Sequence, residues 1–238
     1  MNTKKINNGN TKMVAHRGLS GIERENTIAA FVAAGNRSYY GIETDVHKTK
    51  DGKYVVFHDD STGRIALDKL TVSDTTYELL RAVQLTDTDG RPRTDLHIAP
   101  LEEYIRICKR YEKRCVLELK GSYNAEQIAE IIEIIKEEEY LNDVIFISFD
   151  LQNLLLLREQ LPDQAAQYLV CEINEEVIEA LKRHRLDVDV LWKALTEEMI
   201  AFLHENGIKI NVWTVDDAEN GEKLASWGVD YITSNILE

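Results

Sequence analysis

Short apolar runs rich in β-branched residues alternate with longer stretches of helical period almost to the end of the chain. That alternation is the pattern of repeated strand–helix units around a parallel sheet. Eight runs read as strands, near Lys12–His16, Gly41–Val46, Val116–Lys120, Val144–Phe149, Ala166–Val170, Val188–Leu191, Lys209–Thr214 and Tyr231–Ser234. Helical pattern falls near Asn26–Asn36, Leu101–Arg114, Asn124–Tyr140, Leu151–Leu161, Asn174–His184, Thr196–Asn206 and Asp217–Gly228, and several of these segments open with Asn, Thr or Asp, which cap helix N-termini well. No G-x-G-x-x-G follows the first strand, so the units suit a closed (β/α)8 barrel better than an open doubly wound sheet. A single α/β domain over residues 1–238 is expected. One interval breaks the rhythm. Between His58 and Pro100 the chain is polar, carries Asp-Gly and Arg-Pro turns and shows no convincing βα unit. It reads as a small insertion at about 59–99 over one barrel face, entered by a return strand at Tyr54–His58 after the Asp51-Gly52 turn.

Charge narrows the choice of partner. Lys and Arg total 28 against 42 Asp and Glu, a net charge of −14. A nucleic-acid binder gains most of its affinity from clustered cations, so no nucleic-acid partner is expected, and any phosphate-bearing ligand needs a local positive charge. Apolar residues at 44% and charged residues at 29%, with only 3 Pro and 12 Gly, describe a chain that folds. No apolar stretch follows the lysines of the first segment, and the longest uncharged apolar run, around Val144 to Phe149, is far short of the roughly 20 residues of a membrane span. The expectation is a soluble, cytoplasmic protein without an integral membrane segment. Cys108, Cys115 and Cys171 have neither zinc-knuckle nor disulfide-framework spacing and are expected to be buried thiols in a reducing compartment.

In such a barrel the active site lies at the C-terminal ends of the strands, so ionisable groups late in an apolar strand are informative. The first strand ends in His16-Arg17-Gly18. The second runs into Glu43-Thr44-Asp45, whose two acids share a face because strand side chains alternate. The third ends in Glu118-Leu119-Lys120. Adjacent anions raise each other's pKa unless something cationic sits among them, and oxygen-only ligands favour Mg2+ or Ca2+ over zinc. Any one strand-end acid alone is ordinarily solvated or salt-bridged, and three in register weigh against that reading without replacing it. His16 taken alone reads as a hydrogen-bonded structural histidine, and so does His58, which follows the apolar Tyr54-Val55-Val56-Phe57 and precedes Asp59. His47 shares the face of Glu43 and Asp45 but lies further into the loop, in a supporting or exposed place. His97, His184 and His204 lack a carboxylate pattern and are expected at the surface. Trp213 is either barrel packing or one wall of a small-molecule pocket.

Taken together, VAHRG at 14–18, ENT at 25–27, IETDVHKTKDGKYVVFHD at 42–59, LELK at 117–120, NVWTV at 211–215 and GVDYITSN at 228–235 resemble the glycerophosphodiester phosphodiesterases nearly end to end. The resemblance implies a TIM barrel with a small insertion after the second strand. It also implies metal-dependent hydrolysis of a small-molecule glycerophosphodiester to sn-glycerol 3-phosphate and an alcohol such as choline, ethanolamine or glycerol. By position it makes Glu43, Asp45 and Glu118 the ligands of one divalent metal ion, Mg2+ or Ca2+, and His16 and His58 the general acid/base pair. Arg17 and Lys120 then hold the phosphate, with Trp213 beside the substrate. The nucleophile is either water or the glycerol 2-hydroxyl.

Arg24 stands where the family usually has Pro before E-N-T. Thr233-Ser234-Asn235-Ile236 replaces T-[DN]-x-P, and Arg64 follows His58-Asp59 without the usual R-T-T. These departures bear on loop shape and pocket edge, not on the proposed ligands or histidines. Two other readings compete. A sphingomyelinase D-like phospholipase shares the E-x-D pair and two histidines, but brings disulfides and an interfacial stretch that this chain lacks. A non-catalytic barrel binding glycerophosphate or metal is distinguished by tight binding without turnover.

Overall fold

The computed structural model describes residues 2–238. In chain order its strands are β1 (Lys12–Ala15), β2 (Gly41–Lys48), β3 (Tyr54–Val56), β4 (Ala99–Pro100), β5 (Arg114–Leu119), β6 (Val144–Ser148), β7 (Ala166–Val170), β8 (Asp187–Leu191), β9 (Ile210–Trp213) and β10 (Tyr231–Ser234). Its helices are α1 (Ile28–Gly35), α2 (Tyr77–Ala82), α3 (Leu101–Arg110), α4 (Ala125–Glu137), α5 (Leu151–Gln160), α6 (Glu175–His184), α7 (Glu197–Glu205) and α8 (Ala218–Ser226). Eight strands pair in parallel from β1 through β2, β5, β6, β7, β8 and β9 to β10, and the ring closes where β10 pairs with β1 in the register Lys12↔Tyr231. This is a (β/α)8 TIM barrel. β3 and β4 stand outside the ring, β3 running antiparallel to β2 and β4 antiparallel to β3.

The strands are buried on both faces, which is why they read as continuous apolar runs. On β6, Ile145 and Ile147 point into the lumen with Val14, Val116, Leu169 and Tyr231. The intervening Phe146 points outward into the shell under the helices, with Phe31, Tyr104, Ile128, Leu154 and Leu203. Side-chain oxygens of Asn124, Asp150, Asn174, Thr196 and Asp217 accept the capping hydrogen bonds of α4 to α8. Among the described residues no helix is long and apolar enough to cross a membrane.

Several expectations need correction. The cap of α1 is Thr27, not Asn26, which has a φ of 53° and turns its amide toward β2. The third helix stops at Arg110 because Glu112, at a φ of 54°, reverses the chain so that Arg114 can open β5. The segment between β3 and β4 is less featureless than its polarity suggests. It carries α2 and a small core of its own, in which Ile65, Val72, Leu80, Leu85 and Leu96 pack on Val55 and Phe57. Only Tyr77, Leu80 and Val83 keep a helical spacing, over a stretch too short to stand out, and the remaining apolar residues follow no regular period. Cys108 and Cys115 are buried, but Cys171 is exposed just past the end of β7. His97 and His204 are exposed and His184 is half-buried; His204 does meet a carboxylate, Asp230, at 2.9 Å.

Candidate active site

Every residue singled out from the strand ends comes to one end of the barrel. His16, Arg17, Glu43, His58, Glu118, Lys120 and Trp213 line a single cavity of about 110 Å3. Asp45, 1% exposed, is buried against Arg17 and Lys120 of that lining. Strand register brings the acids together. β2 and β5 are neighbours with Asp45 directly beside Glu118, and Glu43 lies two residues back on the same face. Glu43, Asp45 and Glu118 each place a carboxylate oxygen within 4.8 Å of the others.

Two cations partly offset this cluster. Lys120 Nζ lies 2.9 Å from Glu118 Oε1 and 3.5 Å from Asp45 Oδ1, and Arg17 Nε lies 3.7 Å from Asp45 Oδ2. Asn26 Nδ2 donates to Asp45 Oδ2 at 2.8 Å, and the Arg17 backbone N–H donates to Glu43 Oε2 at 2.7 Å. Although burial opposes it, Arg17 and Lys120 hold the Asp45 carboxyl below the usual carboxylate range. Burial and the Asp45 charge push Glu43 well up and Glu118 to about 7. Three carboxylates are thus more negative charge than the protein's own cations neutralise. Asp45 Oδ1 is also buried without a hydrogen-bond partner. A close, oxygen-only donor set with an orphaned lone pair fits a hard divalent cation.

The two histidines are held differently. His16 Nδ1 faces Asn235 Oδ1 at 2.7 Å, an oxygen that also accepts from Ser20 Oγ, while Asn235 Nδ2 donates to Asp216 Oδ2 at 2.6 Å. The acceptor on Asn235 therefore takes the Nδ1–H tautomer and leaves Nε2, 4.0 Å from Glu43, free to accept a proton. Burial and the adjacent Arg17 lower the His16 pKa to about 4, so the ring is neutral at pH 7. His58 Nδ1 lies 2.6 Å from Asp59 Oδ1. Asp59 accepts Arg64 Nε at 2.6 Å, Arg64 also meets Glu25 at 2.7 Å, and Glu25 accepts Arg17 Nη1 at 2.8 Å. One arginine from the β3–β4 segment thereby ties the His58 loop to the Arg17 loop. Against the opposing effect of burial, the Arg64 hydrogen bond and the Arg17 charge bring Glu25 down to about 2. His47 Nε2 reaches the His58 carbonyl oxygen at 3.2 Å and supports that loop. Trp213 stands in the opposite wall, edge-to-face with Phe149 at 5.6 Å between centroids, and its Nε1 donates to the Asp189 carbonyl oxygen at 3.3 Å.

Gly18 makes the sharp exit after His16-Arg17 possible. Its φ is 76°, and a Cβ there would lie 2.7 Å from the Ala30 carbonyl carbon in α1. Gly18→Ala is expected to cost about 2–4 kcal/mol, backbone strain added to overpacking. Thermal unfolding of the variant measures this, and an unchanged midpoint would show that the close approach is unimportant.

The strand-end reading passed over Glu25, Asn26, Asp59, Arg64, Asp189, Asp216 and Asn235. For Asp189 the only local signal is an acid with Val on either side in mid-strand, two residues after Asp187, and the strand-end rule does not select it. Asn235 and Arg64 stand among the departures from the family pattern expected to affect only loop shape and pocket edge. That expectation is corrected, because Asn235 meets His16 and Arg64 holds Asp59 against His58, while nothing local couples Asp216 to the site.

Residues 16–237 match the Glycerophosphoryl diester phosphodiesterase family. The chain is 31% identical over 231 residues to the glycerophosphodiester phosphodiesterase of Caldanaerobacter subterraneus subsp. tengcongensis, covering 96% of this chain and 95% of that one. It is 28% identical over 232 residues to the Bacillus altitudinis enzyme of the same name, with 95% of each covered. A phosphodiesterase of Oleispira antarctica, solved in complex with the product sn-glycerol-3-phosphate, superposes with a TM-score of 0.87 at 25% identity, over 98% of this chain and 96% of that one. The Thermotoga maritima glycerophosphodiester phosphodiesterase gives 0.76 at 29% identity over 94% of each. With acids, histidines and cations gathered at one barrel mouth and a match running almost from end to end, the chain belongs to the glycerophosphoryl diester phosphodiesterase family of TIM-barrel enzymes.

Proposed function

We propose that the protein hydrolyses glycerophosphodiesters to sn-glycerol 3-phosphate and an alcohol. Glu43, Asp45 and Glu118 hold one divalent cation, Mg2+ or Ca2+, and His16 and His58 move the protons. The observation that carries this reading is the convergence of the three carboxylates, Arg17 and Lys120 on the cavity that both imidazoles line. A cation bound among the acids supplies Lewis-acid stabilisation of the charge developing on the phosphoryl oxygens. Arg17 and Lys120 draw a phosphodiester anion into a protein of net charge −14 and fix two of its oxygens. His16, neutral and with Nε2 free, takes the proton of the attacking water, or of the glycerol 2-hydroxyl, in which case the cyclic phosphate formed is opened by water in a second step. His58 protonates the departing alkoxide, and Asp59 compensates its charge while it carries the extra proton. The apolar wall of Ile147, Leu169 and Trp213 keeps bulk water from the far side of the ligand.

Purified, metal-loaded protein incubated with glycerophosphocholine, glycerophosphoethanolamine and glycerophosphoglycerol is expected to release glycerol 3-phosphate. Tight binding without release would turn the reading toward a sensor barrel. The pH profile carries a further expectation. A base whose folded pKa is lowered from 6.5 to about 4 is active above the lower value, so at saturating metal the acid limb of kcat/KM should lie well below pH 6. An acid limb centred at 6.5 would remove His16 from the base role.

A further inference from the structure

The cavity has two unlike sides. Arg17, Lys120 and the acids occupy the side built from β1, β2 and β5, whereas β6 to β9 present Ile147, Phe149, Leu169 and Trp213. Into that apolar side projects one ionisable group, Asp189 on β8, flanked in register by Leu169 of β7 and Asn211 of β9. Asp189 is 2% exposed and its Oδ1 is buried without a hydrogen-bond partner. It forms no ion pair among the described residues and lies outside the carboxylate cluster. Its in-register neighbour Asn211 is engaged elsewhere, donating to Gln167 Oε1 at 3.1 Å and accepting from Thr233 Oγ1 at 3.1 Å. A buried carboxyl left in that state is costly and is retained where something absent from the chain completes it.

Resting on the reading of the site given above, the geometry points to Asp189 as a specificity-determining residue that hydrogen-bonds a hydroxyl of the ligand's glycerol moiety. The phosphate end is fixed on the cationic side, so the group that reaches the opposite wall is a substituent carried by the phosphate. A three-carbon diol lays its C–H surface on Leu169 and Trp213 and meets the carboxyl with its hydroxyl. An ammonium head group would need a full carboxylate there. Burial, and secondarily the Glu118 charge, oppose ionisation of Asp189, so a neutral hydroxyl is the better partner.

The test compares calorimetric binding of sn-glycerol 3-phosphate with that of n-propyl phosphate, which has the same carbon chain and phosphate but no hydroxyls. Wild type should favour the glycerol ester by about 10- to 100-fold, because a site built to bond a hydroxyl rejects the analogue lacking it. Asp189→Leu should bring the two affinities within about threefold, mainly by weakening glycerol phosphate. Asp189→Asn, which keeps the shape and the hydrogen bond, should retain most of the preference. Persistence of the wild-type ratio in Asp189→Leu overturns the assignment, and so does a selective loss of phosphoethanolamine binding. Equal affinities in wild type overturn it as well, a result that needs no variant to fold. Binding of neither ester by wild-type, metal-loaded protein would instead sink the underlying phosphodiesterase reading.

Discussion

Asp45→Asn should lower turnover of glycerophosphocholine by about 10³-fold or more, the largest effect expected of any single change at this site. Asp45 is the most enclosed of the three acids at 1% exposure, and it alone faces both Arg17 and Lys120. Substituting the neutral amide leaves those two cations without the carboxylate they share and removes the lone pair best placed for a metal. The amide is nearly isosteric and can still accept from Asn26 Nδ2, so the fold should survive and the loss should be chemical. A metal titration by calorimetry separates these contributions. Affinity for Mg2+ or Ca2+ should fall by one to two orders of magnitude, and raised metal should restore part of the activity. Chelation of wild type should abolish turnover reversibly. A metal affinity equal to wild type in Asp45→Asn would mean that the acid cluster is not a metal site.

His16→Ala and His58→Ala should each reduce turnover by roughly 10²–10⁴-fold with little change in unfolding temperature, the usual contribution of a general acid or base. The two need not respond alike to their surroundings. His16 is held through Asn235 and Asp216, so Asn235→Ala should act as a milder version of His16→Ala by releasing the ring from its Nδ1–H tautomer. His58 is held through Asp59, itself clamped by Arg64. Arg64→Ala should therefore lower kcat while leaving metal affinity intact, a separation that a merely structural arginine would not produce. Near-normal turnover in either alanine variant of a histidine removes that residue from the reaction. If both retain activity, the proton-transfer scheme fails and the acid cluster is left as a binding site only.

Much of this site was legible one strand at a time. Glu43 and Asp45 are separated by two in an extended run, so they had to share a face, and an interior charge at a strand end is conspicuous against apolar neighbours. What that reading could not supply was the set of tethers. Arg64 reaches Glu25 across 39 positions and His16 meets Asn235 across 219, separations over which neither composition nor period carries information. Asn26 looked like a helix cap because its residue type favours one. Tertiary context overrode the propensity by placing its amide on Asp45 and leaving the cap to Thr27.

The strand–helix rhythm, the shared face of Glu43 and Asp45 and the excess of negative charge were determined by the sequence alone, because each depends on local period or on simple counts. Only the closed ring decided the rest: that β5 lies beside β2 and so sets Glu118 against Asp45, that Cys171 emerges into solvent, and that Asp189 faces the cavity without a partner. The physical reason is that register and closure are properties of hydrogen bonds between distant segments. A residue's neighbours across a barrel are fixed by pairings that no single segment contains.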